Sequence, residues 1–228
     1  LSQEEDAENV LKILEESQTN HLIGKGPYVT SELISNIKKI YYQKFWGIEK
    51  NLMEDAQIKS THLHHSKDLN YEFEKLIEGI NFQNFFETPV NYLRLIANEL
   101  GTNAFYHTEE GEAVKRTDSV FLSGEDGVEI KVGIDQEHVA LSVKDHNGGL
   151  NRSNFLNSLQ RGFKEKAPDN ERDQGAGLGL YMAYNHSNQI IINTAPNKAT
   201  EVLAIIDANK RYLNYKKRVT SFHYFEES

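Results

Sequence analysis

Three alternating glycines precede a predicted helix in the stretch Gly175-Ala176-Gly177-Leu178-Gly179-Leu180, and that helix continues to about Tyr184. Glycines before a helix leave backbone N–H groups free and let an anion approach the positive end of the helix dipole. The spacing differs from the dinucleotide fingerprint Gly-x-Gly-x-x-Gly, and no Lys-Ser or Lys-Thr pair follows as in a P-loop. The stretch therefore predicts a phosphate-binding segment of another kind.

A second pattern lies upstream, in Glu99-Leu100-Gly101-Thr102-Asn103-Ala104-Phe105-Tyr106-His107, on a predicted helix that begins at Thr88-Pro89. Glu99 and Asn103 are four residues apart, so they share one face of that helix. A carboxylate and an amide on one face can hold a hydrated Mg²⁺ and orient a water or a hydroxyl. An ordinary solvated helix face is the other explanation of this pair.

A third pattern, Asp145-His146-Asn147-Gly148-Gly149, follows a predicted strand. The Asp145 carboxylate can accept a hydrogen bond from an exocyclic amine, while the glycines let a flat ring lie against the backbone. Taken alone, the same residues also suit a simple loop.

In this order and spacing, the three patterns resemble the nucleotide-binding boxes of the Bergerat-fold (GHKL) ATPases, which include histidine kinases and anti-sigma-factor serine/threonine kinases. The resemblance spans about residues 57–207 and is most specific at Gly175–Leu180. It implies an α/β fold, more exactly an α+β two-layer sandwich in which helices cover one face of a mixed, mostly antiparallel sheet. Position 147 is Asn where the family has Gly, and Asn tolerates a positive φ better than most residues.

The resemblance also implies roles for single residues. Asn103 would ligate the Mg²⁺ that bridges the phosphates of ATP, Glu99 would act as the base or orient a water, and Asp145 would receive the adenine amino group. The other positions implied to contact ATP are Gly149 and Thr200 near the adenine, Gly175, Gly177, Leu178 and Gly179 at the phosphates, and His107 after the metal ligand. Residues 150–174, with one short helical stretch at Phe155–Leu159, would form the lid over ATP.

The chain divides into three predicted regions. Residues 1–56 are a helical N-terminal extension, and the order helix, short strand, lysine-containing turn and helix weakly resembles the end of a response-regulator receiver domain. An extension packed on the main domain is the alternative. Residues 57–209 are the predicted ATP-binding domain. Residues 210–228 form a basic and aromatic tail, for which we expect a solvated strand or a strand at a dimer edge.

The second predicted helix of the N-terminal extension begins at Ser31, which we expect to be its cap. Its apolar face is expected to be buried and consists of Leu33, Ile34, Ile37 and Ile40. Three histidines on a predicted edge strand, His62, His64 and His65, lack the acidic neighbour of a phosphoacceptor box. A zinc site with Asp68 is the less favoured alternative to polar residues on an exposed strand.

Composition excludes several classes of protein. The 228 residues include 34 acidic and 25 basic side chains, for a net charge of −9, and no cysteine. Disulfides, thiolate zinc sites and cysteine nucleophiles are therefore excluded, and the acidic balance argues against nucleic acid or an anionic membrane as a partner. No apolar run reaches the roughly 18 residues of a membrane span. With an acidic start in place of a secretory signal, these features predict a cytoplasmic protein.

Together these patterns predict an ATP-binding regulatory protein of bacterial signal transduction that resembles anti-sigma-factor kinases and uses Mg²⁺. Its expected partner is a sigma factor, an anti-anti-sigma factor or a receiver-linked regulator, bound or phosphorylated in trans, and the protein is a candidate homodimer. The alternative is a non-catalytic nucleotide-binding or degenerate interaction module downstream of a receiver domain.

Overall fold

The protein is an α+β sandwich, as the sequence predicts. A computed structural model describes residues 3–82, 87–106, 119–124, 127–164, 178–208 and 218–227, and of residues 3–8 it describes only the backbone. The helices in this part of the chain are α1 (Gln3–Ser17), α2 (Val29–Tyr42), α3 (Leu69–Glu78), α4 (Glu87–Tyr106), α5 (Arg152–Lys164) and α6 (Gly179–Asn185). None of these helices is both long enough and apolar enough to cross a membrane.

The strands form one mixed sheet with the order β1-β7-β5-β6-β4-β3-β2. They are β1 (His21–Leu22), β2 (Gln57–Leu63), β3 (Val128–Ile134), β4 (His138–Asp145), β5 (Gln189–Ala195), β6 (Ala199–Asp207) and β7 (Ser221–Glu226). Every pairing is antiparallel except that of β5 with β7. The prediction of a mostly antiparallel sheet is therefore confirmed, and β2 lies at its edge as expected.

The main core lies between one face of the sheet and the helices. Alternate positions of the central strands point to this side, because successive side chains of a strand face opposite ways. Ile130 and Val132 of β3 are buried there, against Leu93 and Ile96 of α4. This packing places the α4 helix, with its Glu99 and Asn103, over the centre of the sheet.

The C-terminal strand β7 is an internal strand of the sheet. It pairs with β5 on one side and with β1 on the other, where His21 lies opposite His223. Phe222 joins the core under the helices, and Phe225 joins a smaller cluster on the opposite face. The expectation of a solvated or dimer-edge strand is wrong for Ser221–Glu226, because both faces of β7 are covered within the chain.

Helix α2 forms where the apolar spacing predicts it, but it faces the other way. Glu32, Asn36 and Lys39 are buried against the sheet. The residues expected to be buried are instead 45–55% exposed: Leu33, Ile34, Ile37 and Ile40. The prediction fails because α2 lies against the buried polar side chains of His223 and Arg218, for which the polar side of the helix is the complementary one.

The start of α2 also differs from the expectation. The residue at the N-cap position is Tyr28, and no side chain caps it there. The Ser31 hydroxyl instead donates a hydrogen bond to the Tyr28 carbonyl over 2.9 Å. Ser31 therefore lies inside the first turn and is not the cap.

Two further segments depart from the predicted secondary structure. In place of a strand at Ser119–Leu122, the structure has a single bridge between Phe121 and His65. In place of a short helical stretch at Phe155–Leu159, it has the 13-residue helix α5. The side chain of Asn151 accepts a hydrogen bond from the Asn154 N–H over 2.8 Å, a capping contact that starts this longer helix.

Candidate nucleotide-binding site

Two of the three sequence motifs meet where α4 contacts the start of α6. A Cβ atom built on Gly179 would lie 2.7 Å from Glu99 Oε2 and 3.1 Å from Asn103 Nδ2. A side chain at position 179 would displace the Glu99 carboxylate and press on the Asn103 amide, so glycine lets the α6 backbone lie directly against this face of α4. The contact brings an amide, a carboxylate and a glycine backbone to one place.

The residues around Gly179 are only partly described. Leu178 precedes α6 and accepts a hydrogen bond from the Met182 N–H over 2.8 Å. Three predicted contacts to ATP lie outside the described residues: His107, Gly175 and Gly177. Their predicted roles therefore stay predictions.

Asp145 belongs to a row of polar residues across three strands. It lies opposite Thr200 of β6, and Thr200 lies opposite Thr194 of β5. Both threonines are buried, and neither hydroxyl has a hydrogen-bond partner within the described part of the chain. Buried hydroxyls are normally paired, so this row is suited to a ligand or an ordered water.

The turn after β4 is organised by the Asp145 side chain. Its Oδ1 accepts hydrogen bonds from the N–H groups of Asn147, at 2.8 Å, and Gly148, at 3.3 Å. Burial raises the pKa of this carboxyl, and the same hydrogen bonds oppose the shift without cancelling it, so the pKa stays above its ordinary value. The carboxylate is thus fixed in direction and partly desolvated, which strengthens any further hydrogen bond it accepts.

The glycine that this turn requires is Gly148. It has a φ of +67°, and a Cβ there would lie 2.4 Å from the Ala195 carbonyl oxygen. A Cβ on Gly149, the predicted pocket residue, would meet nothing within 4 Å. Asn147 does not have a positive φ. The turn therefore does not require glycine at position 147, where this chain has Asn and the family pattern has Gly.

Gly148 lies within the third sequence motif, but the pocket role was assigned to Gly149, and Thr194 was not named. Both were visible in the sequence, Gly148 as the first of two consecutive glycines and Thr194 as the position opposite Thr200 across the Pro196-Asn197 turn. Only the observed register and the contact with Ala195 distinguish them from neighbouring residues of the same kind.

The first half of the predicted lid is a helix of the core. Phe155 and Leu159 of α5 are fully buried, and a Cβ on Gly162 would lie 2.1 Å from the Tyr181 ring. The prediction that the lid begins at residue 150 is therefore wrong for Arg152–Lys164, because the apolar face of α5 packs on α6 and the sheet. Residues 165–174 lie outside the described part of the chain.

Within the part of the chain that the structure describes, the histidines of the edge strand are not arranged as a metal centre. The rings of His62 and His64 lie 5.0 Å apart, beside an open groove of about 590 Å³ that is also lined by Asp68 and Glu72. Among the described residues, no group of three or more histidine or acidic side chains is placed to hold a metal ion. The zinc alternative therefore has no support from the geometry.

The chain is similar to sensor kinases of Staphylococcus aureus. It is 22% identical to the sensor protein kinase GraS of strain MRSA252, and 21% identical to the sensor histidine kinase GraS of strain NCTC 8325 / PS 47. Each alignment covers 98% of this chain and 59% of the relative, so the chain spans about three-fifths of the length of the curated relatives it matches. No protein-family model matches the chain. By these comparisons, the chain is a distant homologue of sensor histidine kinases.

Proposed function

We propose that this chain binds ATP with Mg²⁺ and uses it in bacterial signal transduction to phosphorylate, or to bind, a protein partner in trans. The observation that carries the proposal is the contact of Gly179 with Glu99 and Asn103. It joins the predicted phosphate-binding segment to the predicted metal-binding residues, although they are about 80 positions apart in the sequence. The similarity to sensor histidine kinases supports the same reading.

The residues at this contact suit a magnesium–phosphate complex. Mg²⁺ prefers oxygen ligands, keeps several waters and is completed by substrate phosphates, so the single amide of Asn103 is a sufficient protein ligand. A bound Mg²⁺ would offset the negative charge of the phosphates. Glu99, one helical turn away, would orient a water or accept the proton of an attacking hydroxyl or imidazole.

The polar row on the sheet suits an adenine ring. Asp145 is held by two backbone N–H groups and would accept the exocyclic amino group of the base. Thr200 lies beside it on the next strand, with a buried hydroxyl that has no hydrogen-bond partner among the described residues. A guanine ring has a carbonyl where adenine has the amino group, so it would meet the carboxylate with the wrong polarity.

The phosphoryl acceptor is proposed to lie in trans. Among the described residues, His62 lies on the edge strand, His223 is fully buried in β7, and His186 ends α6 and stacks on Tyr92. None is placed within a helix that could present it to a neighbouring active site. A receiver-linked regulator, a sigma factor and an anti-anti-sigma factor are the proposed partner classes, acting in the cytoplasm.

Calorimetric titration with ATP, with and without Mg²⁺ and with GTP as a comparison, tests the site. We expect micromolar binding that depends on Mg²⁺ and is selective for adenine. Asn103→Ala should remove the Mg²⁺-dependent part, at least about tenfold in affinity, because it deletes a metal ligand and little core volume. Asn91→Ala, at an exposed position of the same helix, is the matched control. Unchanged Mg²⁺–ATP affinity in Asn103→Ala would contradict the assignment.

Transfer of the γ-phosphoryl group separates the two forms of the proposal. Incubation with labelled ATP and candidate partners should give a labelled partner, acid-labile if the acceptor is histidine and acid-stable if it is serine. Glu99→Gln should slow the transfer while leaving ATP affinity nearly unchanged. Tight ATP binding with no transfer to any partner would favour the non-catalytic interaction module.

A further inference from the structure

Helix α2 exposes a stripe of large apolar side chains along its outer side. The stripe, here named the α2 stripe, consists of five residues with 45–78% of their surface exposed: Leu33, Ile34, Ile37, Ile40 and Tyr41. Single exposed apolar residues are normal on a protein surface, but a contiguous set on one helix is typical of an interaction site.

The orientation of α2 is fixed by polar contacts on its inner side. Glu32 Oε1 lies 2.8 Å from His223 Nε2, and its other oxygen lies 3.4 Å from Arg218 Nη1. Asn36 Nδ2 lies 3.0 Å from the same histidine nitrogen, and the Lys39 ammonium lies over the Phe225 ring. Rotating the helix to bury the stripe would break all of these contacts and leave buried charges unpaired. The stripe is therefore held outward by the rest of the fold.

The spacing of the stripe is symmetric about Ile37. Ile34 and Ile40 lie three residues to either side of it, and Leu33 and Tyr41 lie four residues to either side. Positions three and four apart form one helix face, and facing helices interlock through such rows. A second α2 running antiparallel would place Leu33 against Tyr41 and Ile37 against itself. The pattern is thus complementary to its own copy.

The size of the stripe also fits a dimer. Five large side chains that are about half exposed or more offer roughly 500–600 Å² on each copy, near the largest patch of an ordinary monomer. Two copies would bury about 1,000–1,200 Å² in total, at the lower end for a specific interface. Antiparallel helix dipoles would favour the same arrangement.

We propose that the α2 stripe is the interface with a second copy of this chain, paired across a two-fold axis at Ile37. The proposal does not rest on nucleotide binding, because α2 covers the face of the sheet opposite to α4 and α6. It assigns a role to the residues of α2 that the sequence predicts to be buried and the fold leaves outside.

Sedimentation of the full chain over a range of concentrations tests this interface. We expect a monomer–dimer equilibrium with a dissociation constant in the micromolar range. Ile37→Glu should weaken it at least 100-fold, because it places two carboxylates together at the axis. Ile13→Glu, on α1, replaces an isolated side chain that is 49% exposed and should leave the equilibrium unchanged. Circular dichroism checks that both variants stay folded.

Cysteine cross-linking tests the direction of pairing, since the natural chain has no cysteine. Under oxidation, Ile37→Cys should form a disulfide between copies. Leu33→Cys alone should not, because its two copies would be about 12 Å apart along antiparallel helices, beyond the reach of a disulfide. A mixture of Leu33→Cys and Tyr41→Cys should again cross-link.

Three results would overturn the proposal. If the chain is a monomer at every concentration, the α2 stripe does not bind a second copy, and its partner is a different protein or a membrane surface. A dimer insensitive to Ile37→Glu would use another surface. Cross-linking of Leu33→Cys with itself, without cross-linking of Ile37→Cys, would exclude the antiparallel two-fold arrangement.

Discussion

The two faces of the sheet are covered differently, although a small apolar cluster that includes Ile191 and Phe225 is also buried on the α2 side. On one face, α4 and α5 bury apolar side chains such as Leu93 and Phe155 against apolar strands. On the other face, α2 buries Glu32 against His223 and Arg218 and turns its apolar side outward. Apolar spacing predicts both α2 and α4, but the surface beneath a helix decides which of its sides faces inward.

The two faces also differ in what they contribute to the free energy of unfolding. Apolar burial is favourable wherever the shapes fit, whereas a buried ion pair roughly balances its desolvation and is costly when one partner is removed. We therefore expect the helical face to supply most of the stability, and the α2 face to determine orientation. Four experiments can break or sharpen this contrast, and a fifth concerns the candidate site.

The largest effect is expected on the helical face, for Phe155→Ala. The Phe155 ring is fully buried and stacks on Phe222 with centroids 5.2 Å apart. Its removal should lower the free energy of unfolding by about 3–5 kcal/mol, from lost burial and the cavity left behind. Urea denaturation measures the change. Phe121→Ala, at a position 61% exposed, is the control and should change it by less than about 0.5 kcal/mol. Equal effects would contradict the contrast.

A smaller decrease in the free energy of unfolding is expected on the α2 face, for Glu32→Gln. The variant keeps the shape but removes the charge that faces His223 and Arg218. We expect a loss of about 2 kcal/mol in urea denaturation at pH 7. A loss as large as that of Phe155→Ala would mean that charge, too, is a main source of stability.

The same variant tests the acid response of this face. Burial alone would raise the pKa of Glu32, but the hydrogen bonds from His223 and Ser221 and the charge of Arg218 outweigh it and lower the pKa below 4.5. A lowered carboxyl pKa adds stability that is complete above the unfolded value and is lost as the pH falls through the folded value. Glu32→Gln should therefore lose less stability than the parent chain between neutral and acid pH.

At the candidate site, Gly148→Ala and Gly149→Ala form a matched pair. Alanine at position 148 must adopt a φ of +67° and would contact the Ala195 carbonyl, so the Asp145 turn should shift. We expect about a tenfold loss of ATP affinity by calorimetry, equal to about 1.4 kcal/mol. Alanine at position 149 meets nothing within 4 Å and should change the affinity by less than twofold. The reverse order would restore Gly149 as the residue that shapes the pocket.

The smallest change in stability is expected for Lys39→Met, and it is an increase. Burial lowers the pKa of Lys39 to about 7, while the charge of Glu201 opposes this shift. Between that value and the ordinary 10.5, the unfolded chain binds more protons than the folded one, so stability should rise as the pH rises through this window. Methionine removes the cost of desolvating the ammonium group. We therefore expect the free energy of unfolding to rise by about 1 kcal/mol at pH 7 and to change less with pH between pH 7 and pH 9. A steeper profile in the variant would contradict the role given to Lys39.

Sequence alone predicted most of the fold, and the structure brings the predicted residues Glu99, Asn103 and Gly179 together. Val128–Ile134 and His138–Asp145 alternate clearly, so their strands follow from a period of two. The face shared by Glu99 and Asn103 follows from helix geometry. These features are local, which is why periodicity and spacing are sufficient to predict them.

The features that were missed depend on contacts between distant segments. The direction of α2 depends on His223, and the full length of α5 depends on its packing against α6. The need for glycine at position 148, and not at its neighbour, depends on the carbonyl of Ala195 at the end of β5. No local pattern contains that information, because in each case the deciding atom lies at least 18 positions away in the sequence.

The pairing of β1 with β7 has a consequence for the order in which the molecule assembles and opens. It joins residues about 200 positions apart, such as His21 and His223, so it closes one of the longest loops in the chain. Contacts of this range form late, because the entropy of the loop is lost before they become favourable. We expect the amides of β1 and β7 to exchange with solvent through partial opening, while those of β4 and β6 require global unfolding. Helix α2, attached at this edge, would then be the first element released.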